Sequence, residues 1–375
     1  LGTGYMVNEQ GRQDHVANTM PAPYYRFDGL NDYISVGDNN ALDVTGAISF
    51  GARFKINGSP ASYGVIMAKG LINSSTGYTD YNMYVNSSNG LIIQLCDGST
   101  IYSFGGSAPV FTSGVIYDVM FTWDGTTGSN GAQVYVNGSL YSQHTSTISS
   151  LRDTGFTLDF GRRNHSTRYY LEYELYSSKI FNKALTATEV KELYSGASVP
   201  FKYKGANQTS LVTNGTFDSN VTGWTQTNLT ATYNSGTAVI TNQETLNDEL
   251  MQTVELTAGK AYRVTAEISN YSSGGSTISL RYDNTALTAG GAGGDRILGI
   301  VDGNKTITAT IYGTTGAEQL RFRCTTAGTA TNYTIDNVSV VQIGAVAEYD
   351  GSGATGAKWY DKSGNNLDGT VTGAT

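Results

Sequence analysis

Two glutamates, Glu172 and Glu174, flank Tyr173 in a segment whose residue types favour a strand. Successive residues of a strand point to opposite faces, so both carboxylates would lie on the same face. Retaining glycosidases hold two carboxyl groups roughly 5 Å apart, so glycan hydrolysis is the reaction that such a pair could catalyse. The third carboxylate of the Glu-x-Asp-x-Glu array that some glycosidases use is missing, and the pair lies near the end of its domain. We therefore expect no enzyme and assign no catalytic residue.

Tyrosines beside planar polar side chains form the second candidate group. Flat rings pack against the apolar C–H faces of sugars, while planar polar groups bind the hydroxyls. One cluster surrounds Asp80 and Asn82, a second lies near Arg162 and Asn164, and others lie further along the chain. For any single tyrosine, packing inside a strand is the commoner role. The candidate ligand-binding residues are Tyr78, Tyr81, Tyr84, Tyr169, Tyr170, Tyr173, Arg162, Asn164, Tyr271 and Tyr282.

Histidine and cysteine do not predict further chemistry. The three histidines are isolated in sequence and lack a second ligand at the spacing of a metal site. Cys96 and Cys324 both lie in strand-like segments, so we expect small buried hydrophobic residues rather than a disulfide framework.

The composition excludes several classes of partner. Charged residues make up 14% of the chain, against about 25% in a typical soluble protein. The net charge of −8 argues against nucleic acid, whose phosphates bind basic surfaces. The sequence contains no run of 18 apolar residues, so we expect no membrane-spanning helix. The chain begins at Leu1 without a signal-peptide core, which is typical of a fragment or a processed product.

Alternating apolar residues predict short strands along nearly the whole chain. The clearest hairpin comprises residues 117–123 and 132–136, and the pair Asn137-Gly138 that follows favours a type I′ turn. Such evenly spaced strands with few helices are typical of β-sandwiches.

A single helix is predicted near residue 190. Thr186 with Glu189 three residues later forms a capping box, and Gly196 provides a C-terminal stop. Its predicted apolar face comprises Val190, Leu193 and Tyr194.

The strand pattern divides the chain into two tandem β-sandwiches, so the predicted fold class is all-β. Residues 24–200 form the first sandwich and residues 211–342 the second, joined by a polar linker at 201–210. Residues 1–23 are an N-terminal extension. Residues 343–375 are too short for a domain and are predicted to be a connector to a C-terminal region that this sequence lacks.

The first sandwich resembles the laminin-G-like, or concanavalin A-like, family. The segment Phe27-Asp28-Gly29 with Asp32-Tyr33 and the closing Ile180-Phe181-Asn182-Lys183-Ala184-Leu185 are similar to that family's opening and closing motifs. The resemblance spans most of residues 24–195 and implies that Trp123 is a core residue. Many relatives carry a glycine and then an acidic pair before the closing motif, where this chain has Tyr173 and Tyr176-Ser177, so the resemblance does not imply the calcium site of calcium-dependent members.

The second sandwich resembles jelly-roll carbohydrate-binding modules. Its opening Asn214-Gly215-Thr216-Phe217-Asp218 with Gly223-Trp224, and its closing Ile335-Asp336-Asn337-Val338, are similar to motifs of those modules. In that family the aspartate of the last strand and groups near the first strand often hold a structural Ca²⁺ ion. The resemblance thus implies Asp218 and Asp336 as calcium ligands, since hard oxygen ligands suit Ca²⁺. The alternative is that Asp336 caps or pairs at a strand edge.

The order of these parts, with the segment Tyr360-Asp361-Lys362-Ser363-Gly364-Asn365, resembles bacteriophage virion proteins such as tail fibres, head fibres and capsid decoration proteins. That resemblance implies a non-enzymatic protein of the virion surface, synthesised in the host cytoplasm and assembled as a homo-oligomer such as a trimer. Its partners would be host cell-surface glycans or other virion proteins, with neither nucleic acid nor membrane insertion. Two alternatives stay open. One is a binding-module fragment of a secreted microbial polysaccharide-degrading or adhesin protein, and the other is a glycoside hydrolase of concanavalin-like fold.

Overall fold

The computed structural model divides the chain into two compact units. Unit 1 comprises the residues up to Val199 together with Ala345–Thr375, and unit 2 comprises Pro200–Gly344. The candidate Tyr78 and the predicted N-terminal extension lie outside the residues that the structure describes. The described residues are 24–70, 79–104, 109–165, 167–197, 199–200, 203–284, 296–314 and 318–375.

Unit 1 begins with a run of antiparallel strands followed by one helix, α1. The elements in chain order are β1 (Tyr25–Asp28), β2 (Tyr33–Val36), β3 (Ile48–Ile56), β4 (Tyr63–Gly70), β5 (Thr79–Asn86), β6 (Leu91–Cys96), β7 (Ile101–Phe104), β8 (Ile116–Trp123), β9 (Ala132–Val136), β10 (Ser139–His144), β11 (Leu158–Phe160), β12 (Glu172–Phe181) and α1 (Ala187–Tyr194). A short 3₁₀ turn, Asn40–Leu42, precedes β3.

These strands form the two layers of a sandwich. One sheet has the order β1-β12-β3-β8-β9-β10, and the other contains β2-β11-β4-β5-β6-β7. Alternate residues of the strands point into the space between the sheets, where Phe50, Phe121 and the predicted core residue Trp123 are fully buried. Cys96 is buried as predicted and is not in a disulfide.

The local signals in this unit are confirmed. Asn137 and Gly138 both have positive φ, 51° and 75°, which is the conformation of a type I′ turn joining β9 to β10. The Thr186 hydroxyl accepts from Glu189 N at 3.3 Å, and Glu189 Oε2 accepts from Thr186 N at 2.9 Å. Val190 is buried on the apolar face of α1. Tyr194, predicted on the same face, is 41% exposed.

Unit 2 forms a second antiparallel sandwich. Its strands are β13 (Thr225–Thr227), β14 (Thr230–Asn234), β15 (Thr237–Gln243), β16 (Glu249–Val254), β17 (Ala261–Ser272), β18 (Thr277–Asn284), β19 (Arg296–Val301), β20 (Lys305–Tyr312), β21 (Glu318–Thr326) and β22 (Thr331–Gln342). In the part of the unit that is described, two five-stranded sheets have the orders β13-β16-β21-β18-β19 and β14-β15-β22-β17-β20. Trp224, Phe322 and Tyr333 are buried in the core that both sheets supply, and Cys324 is buried there without a disulfide.

Residues 345–375 do not form the predicted connector. They contribute β23 (Ala345–Tyr349), β24 (Lys358–Trp359) and β25 (Gly369–Thr372) to unit 1, with a 3₁₀ turn at Gly351–Gly353. β23 pairs with β12, and β25 pairs with β2 and β24. Tyr349 and Trp359 are buried with ring centroids 5.0 Å apart. These strands are short, and β23 and β25 need partners far away in sequence.

The predicted linker 201–210 is also corrected where the structure describes it. Ser210 bridges to Val341, and Leu211 N donates to Val340 O at 2.8 Å, so this segment packs within unit 2. Unit 2 is therefore inserted in the sequence of unit 1, between α1 and β23. No helix in the described ranges has the length and apolar character needed to span a membrane.

Candidate functional site

Loops at one end of unit 1 enclose a cleft of about 470 Å³, which we call the tyrosine cleft. The turn after β1, the loop between β3 and β4, and the segment before β12 meet there because β1 and β3 both pair antiparallel with β12. The volume lies within the usual range for ligand sites, about 300–1,000 Å³. Its lining includes Tyr63, Tyr169, Tyr170, Pro60, Asp28 and Glu172.

Two of the tyrosine rings that line the cleft are fixed by contacts with neighbouring side chains. The rings of Tyr63 and Tyr169 meet edge to face with centroids 5.3 Å apart, and Tyr63 makes a similar contact with the buried Tyr84 at 5.4 Å. The Arg163 guanidinium lies 4.1 Å from the centroid of the Tyr169 ring, and its Nε donates to Thr167 O at 2.6 Å. Rings that are already oriented lose little conformational entropy when a ligand binds.

The backbone of Tyr169 is in the left-handed region, with φ of 56°. This conformation is uncommon for a bulky residue and costs about 1–3 kcal/mol. Val65 N donates to Tyr169 O at 3.0 Å, which holds the strained segment against β4. The strain is thus retained at a residue that lines the cleft.

Two carboxylates face the same cleft. Asp28 on β1 is directly opposite Glu172 on β12. Asp28 Oδ1 accepts from Leu30 N at 2.8 Å and from Asn31 N at 3.2 Å, and these bonds, the one from Leu30 foremost, lower the pKa of Asp28. Arg26 Nη2 lies 4.0 Å from Glu172 Oε1, but the two side chains are 61% and 43% exposed, so the pair is weak.

Two glycines provide the space that Glu172 occupies, because they have no Cβ atom. A Cβ atom at Gly58 would lie 2.7 Å from Glu172 Oε2, and one at Gly29 would lie 2.9 Å from Glu172 N. Gly29 also has φ of 77°, which favours glycine. Asn57 N donates to Glu172 O at 2.9 Å, so the backbone of this residue is fixed as well.

Glu174, the other member of the acidic pair, is held in structural contacts outside the cleft lining. Its carboxylate lies 2.7 Å from Lys55 Nζ and accepts from Tyr176 OH at 2.7 Å. Burial alone would raise the pKa of Glu174, but the hydrogen bonds from Lys55 and Tyr176 lower it. A carboxylate that stays ionised lacks the proton that a general acid must supply.

The structure brings only part of the predicted ligand set to the cleft. Tyr169 and Tyr170 line it, and Tyr84 lies buried behind Tyr63. Tyr81 and Tyr173 are corrected to core residues, because they are buried and donate to Leu42 O and Ile66 O.

The remaining candidates lie outside the cleft lining. Arg162 stacks over the ring of Tyr33 and pairs with Asp159, while Asn164 bonds to Thr157 and Arg168. In unit 2, Tyr282 is buried and donates to Glu318, so it is also a core residue. Tyr271 is half-buried against the unit 2 core.

Sequence reasoning did not select Tyr63, Pro60 or Asp28 as ligand-binding residues. The segment Ser59-Pro60-Ala61-Ser62-Tyr63 between two strands is a detectable loop signal, because proline interrupts strand pairing. The pairing of β1 with β12, which brings Asp28 to Glu172, has no local signal.

The calcium ligands predicted in unit 2 do not form a recognisable cage. Val338 N donates to Gly215 O at 2.9 Å, so the first and last segments of the unit do meet. Asp218 is exposed, and Asp336, on the central strand β22, accepts from Asn337 N through Oδ1 at 2.7 Å. Within the described ranges, no group of three or more His, Cys, Asp and Glu side chains is placed to hold a metal ion. Calcium binding here stays a prediction.

A buried ion cluster lies elsewhere in unit 1. The Lys69 ammonium has no exposed surface and lies 2.8 Å from Asp43 and 3.3 Å from both Asp38 and Asp80. It also donates to Thr154 O at 2.8 Å. Burial raises the pKa of Asp80 to about 6 despite the neighbouring ammonium. The complete burial of Lys69 makes this cluster structural.

Comparison with known proteins identifies the fold of unit 1. Residues 27–191 match the sequence profile of a family described as the concanavalin A-like lectin/glucanases superfamily. Unit 1 therefore contains a concanavalin A-like domain, and the all-β prediction is confirmed. No curated protein sequence matches the chain.

Three solved structures illustrate the similarity at low identity. A native heptameric SAP-like pentraxin from Limulus polyphemus is 18% identical with a TM-score of 0.35, and the match covers 46% of this chain and 82% of that chain. A Bacteroides ovatus protein described as carbohydrate binding is 16% identical with a TM-score of 0.35, covering 46% and 47%. Trypanosoma rangeli sialidase in complex with sialic acid is 16% identical with a TM-score of 0.30, covering 40% and 22%.

Proposed function

We propose that unit 1 binds a glycan in the tyrosine cleft. The observation that carries the proposal is a cleft of ligand size whose tyrosine rings are oriented before binding and stand beside two carboxylates. The aromatic rings would pack against sugar C–H faces, and Asp28 and Glu172 would accept hydrogen bonds from sugar hydroxyls. The family description, which names lectins and glucanases, supports the same class of ligand.

Binding without catalysis is the second part of the proposal. The pair Glu172 and Glu174 does not act as two free carboxylates, since Glu174 is enclosed by Lys55 and Tyr176. Asp28, the other carboxylate of the cleft, has a lowered pKa and is therefore a poor proton donor.

The biological setting is proposed from the sequence. Low charge and the absence of a disulfide framework agree with adhesion at a virion surface by a homo-oligomer synthesised in a bacterial cytoplasm. The rival setting is a secreted microbial polysaccharide-binding protein. The neighbouring genes test this part, because a catalytic domain or a secretion signal in the parent gene would favour the rival.

A glycan array probed with the whole chain tests binding, and a Tyr170→Ala variant tests the site. Tyr170 lines the cleft, and loss of a ring contact worth about 0.5–1.5 kcal/mol lowers affinity by about two- to twelvefold. Tyr141→Ala is the matched control, because Tyr141 is 52% exposed on β10 outside the cleft lining. The proposal fails if no glycan binds, or if the two variants lose affinity equally. Release of reducing ends from a bound glycan would overturn the non-enzymatic part alone.

A further inference from the structure

The lining of the tyrosine cleft carries negative charge without positive charge. Asp28 and Glu172 are its acidic residues, and neither lysine nor arginine is among the lining residues of this described cleft. The other polar groups there are neutral hydroxyls such as those of Ser59, Ser62 and Tyr170. The charge of a ligand is therefore a property that this cleft can distinguish.

Strand pairing brings the two carboxylates together. Asp28 and Glu172 are direct partners in the antiparallel register of β1 and β12. Side chains opposite one another have Cβ atoms roughly 4.5–5.5 Å apart, and like charges in that relation destabilise a sheet. Hydrogen bonds from Leu30 N and Asn31 N lower the pKa of Asp28, so it stays ionised in mildly acidic solution.

The nearby cations of the protein do not neutralise this pair. Arg26 is 4.0 Å from Glu172 with a side chain that is 61% exposed, so solvent screens the attraction. Arg163 is stacked against the Tyr169 ring and bonded to Thr167 O. Lys55 is paired with Glu174 at 2.7 Å. A cation from a ligand would be attracted by both Asp28 and Glu172.

We infer that the glycan bound in the tyrosine cleft contains an amino sugar with a free, protonated amine, whose ammonium lies between Asp28 and Glu172. This inference rests on the proposed function and names its ligand class. The neighbouring tyrosine rings would add cation–π attraction to the ammonium. Acetylation of the amine removes the charge, and a uronic acid or a sialic acid brings a carboxylate against two others.

Calorimetric titration with matched oligosaccharides tests the inference. The whole chain is titrated with β-1,4-linked hexamers of glucosamine, of N-acetylglucosamine and of glucuronic acid in mildly acidic buffer. The glucosamine hexamer binds more tightly than the acetylated one by about two- to fivefold, the range of an exposed ion pair, and the glucuronate binds most weakly. Added salt reduces this preference, because it screens exposed charges.

Variants identify the carboxylate that produces the preference. Glu172→Gln abolishes the preference for glucosamine, because it weakens binding of the glucosamine hexamer more than binding of the acetylated one. Glu192→Gln is the control with the same charge change, since Glu192 is exposed on α1 outside the cleft lining.

The possible failures are distinguishable. Equal binding of the amine and acetamide hexamers, tighter binding of glucuronate, or an array whose binders lack amino sugars overturns the inference and leaves glycan binding in place. An equal loss of preference in both glutamate variants also overturns it, because the attraction would then come from the acidic protein as a whole. Absence of binding to every glycan removes the proposed function as well.

Discussion

Replacing Lys69 with methionine will strongly destabilise unit 1. Methionine has a similar length but no charge, so the substitution removes the ammonium and keeps most of the packing. Asp43 and Asp80, which lie 2.8 Å and 3.3 Å from that ammonium, would remain in the protein interior without their counter-ion. Thr154 O, at 2.8 Å, would lose its donor as well.

The expected loss of stability follows from the burial of Lys69 and its partners Asp43 and Asp80. Removing one partner of a buried ion pair costs about 3–5 kcal/mol, because an uncompensated charge is left behind. In a domain of roughly 150–250 residues, 1 kcal/mol shifts Tm by about 2–4 °C, so the melting temperature of unit 1 falls by about 6–20 °C. The loss shrinks as pH falls, since protonation removes the charges of Asp43 and Asp80.

Hydrogen exchange measured by mass spectrometry resolves the effect by unit. Amides of β4 and β5, which carry Lys69 and Asp80, lose protection, while those of β17 and β22 in unit 2 provide the internal reference. Lys55→Met is the matched control, because Lys55 is 24% exposed and pairs with Glu174. Lys55→Met is expected to lose less stability than Lys69→Met. A Lys69→Met protein within about 1 kcal/mol of the wild type at neutral pH, or one no worse than Lys55→Met, would refute the reasoning.

Two further predictions use the same readout. Because burial raises the pKa of Asp80 from 3.8 to about 6, the folded state binds this proton more tightly, and stability falls as pH rises from about 4 to 6, by about 3 kcal/mol. Asp80→Asn should flatten that part of the stability profile, and an unchanged slope would assign it to another group. Trp359→Ala should cost unit 1 about 3–5 kcal/mol through a cavity, whereas Tyr360→Ala, 46% exposed, should cost little. Equal stability of the two variants would contradict the packing of residues 345–375 in unit 1.

Features with local causes could be predicted from the sequence. The Asn137-Gly138 turn and the Thr186 cap depend on residues within a few positions of one another, and both form as predicted. The orientation of Tyr173 toward the core could also have been predicted from the sequence. Glu172 and Glu174 on either side of it favour the solvent face, so strand alternation places Tyr173 in the core. The prediction of Tyr173 as a ligand-binding residue did not take this alternation into account.

Features that depend on long-range pairing could not be predicted. β23 and β25 pair with strands separated from them by the whole of unit 2, and no residue in 345–375 specifies the register. The cleft has the same origin. Tyr63 and Tyr169 are about a hundred positions apart in sequence, and Asp28 meets Glu172 only after β1 has paired with β12. Composition identified tyrosines as candidates, but register determined which of them share a surface.

Residues 345–375 also affect the tyrosine cleft, because they support β1, the strand that carries Asp28. β1 pairs with β12 on one side. On the other side, Arg26 N donates to Thr375 O at 2.7 Å and Thr375 N donates to Arg26 O at 3.1 Å. Tyr25 OH donates to Thr355 O at 2.6 Å. A four-residue strand held on only one side would fray, so residues 345–375 keep β1 in register and Asp28 opposite Glu172. The tyrosines of the cleft precede unit 2 in the chain. The position of Asp28 opposite Glu172, however, depends on residues 345–375, which follow unit 2.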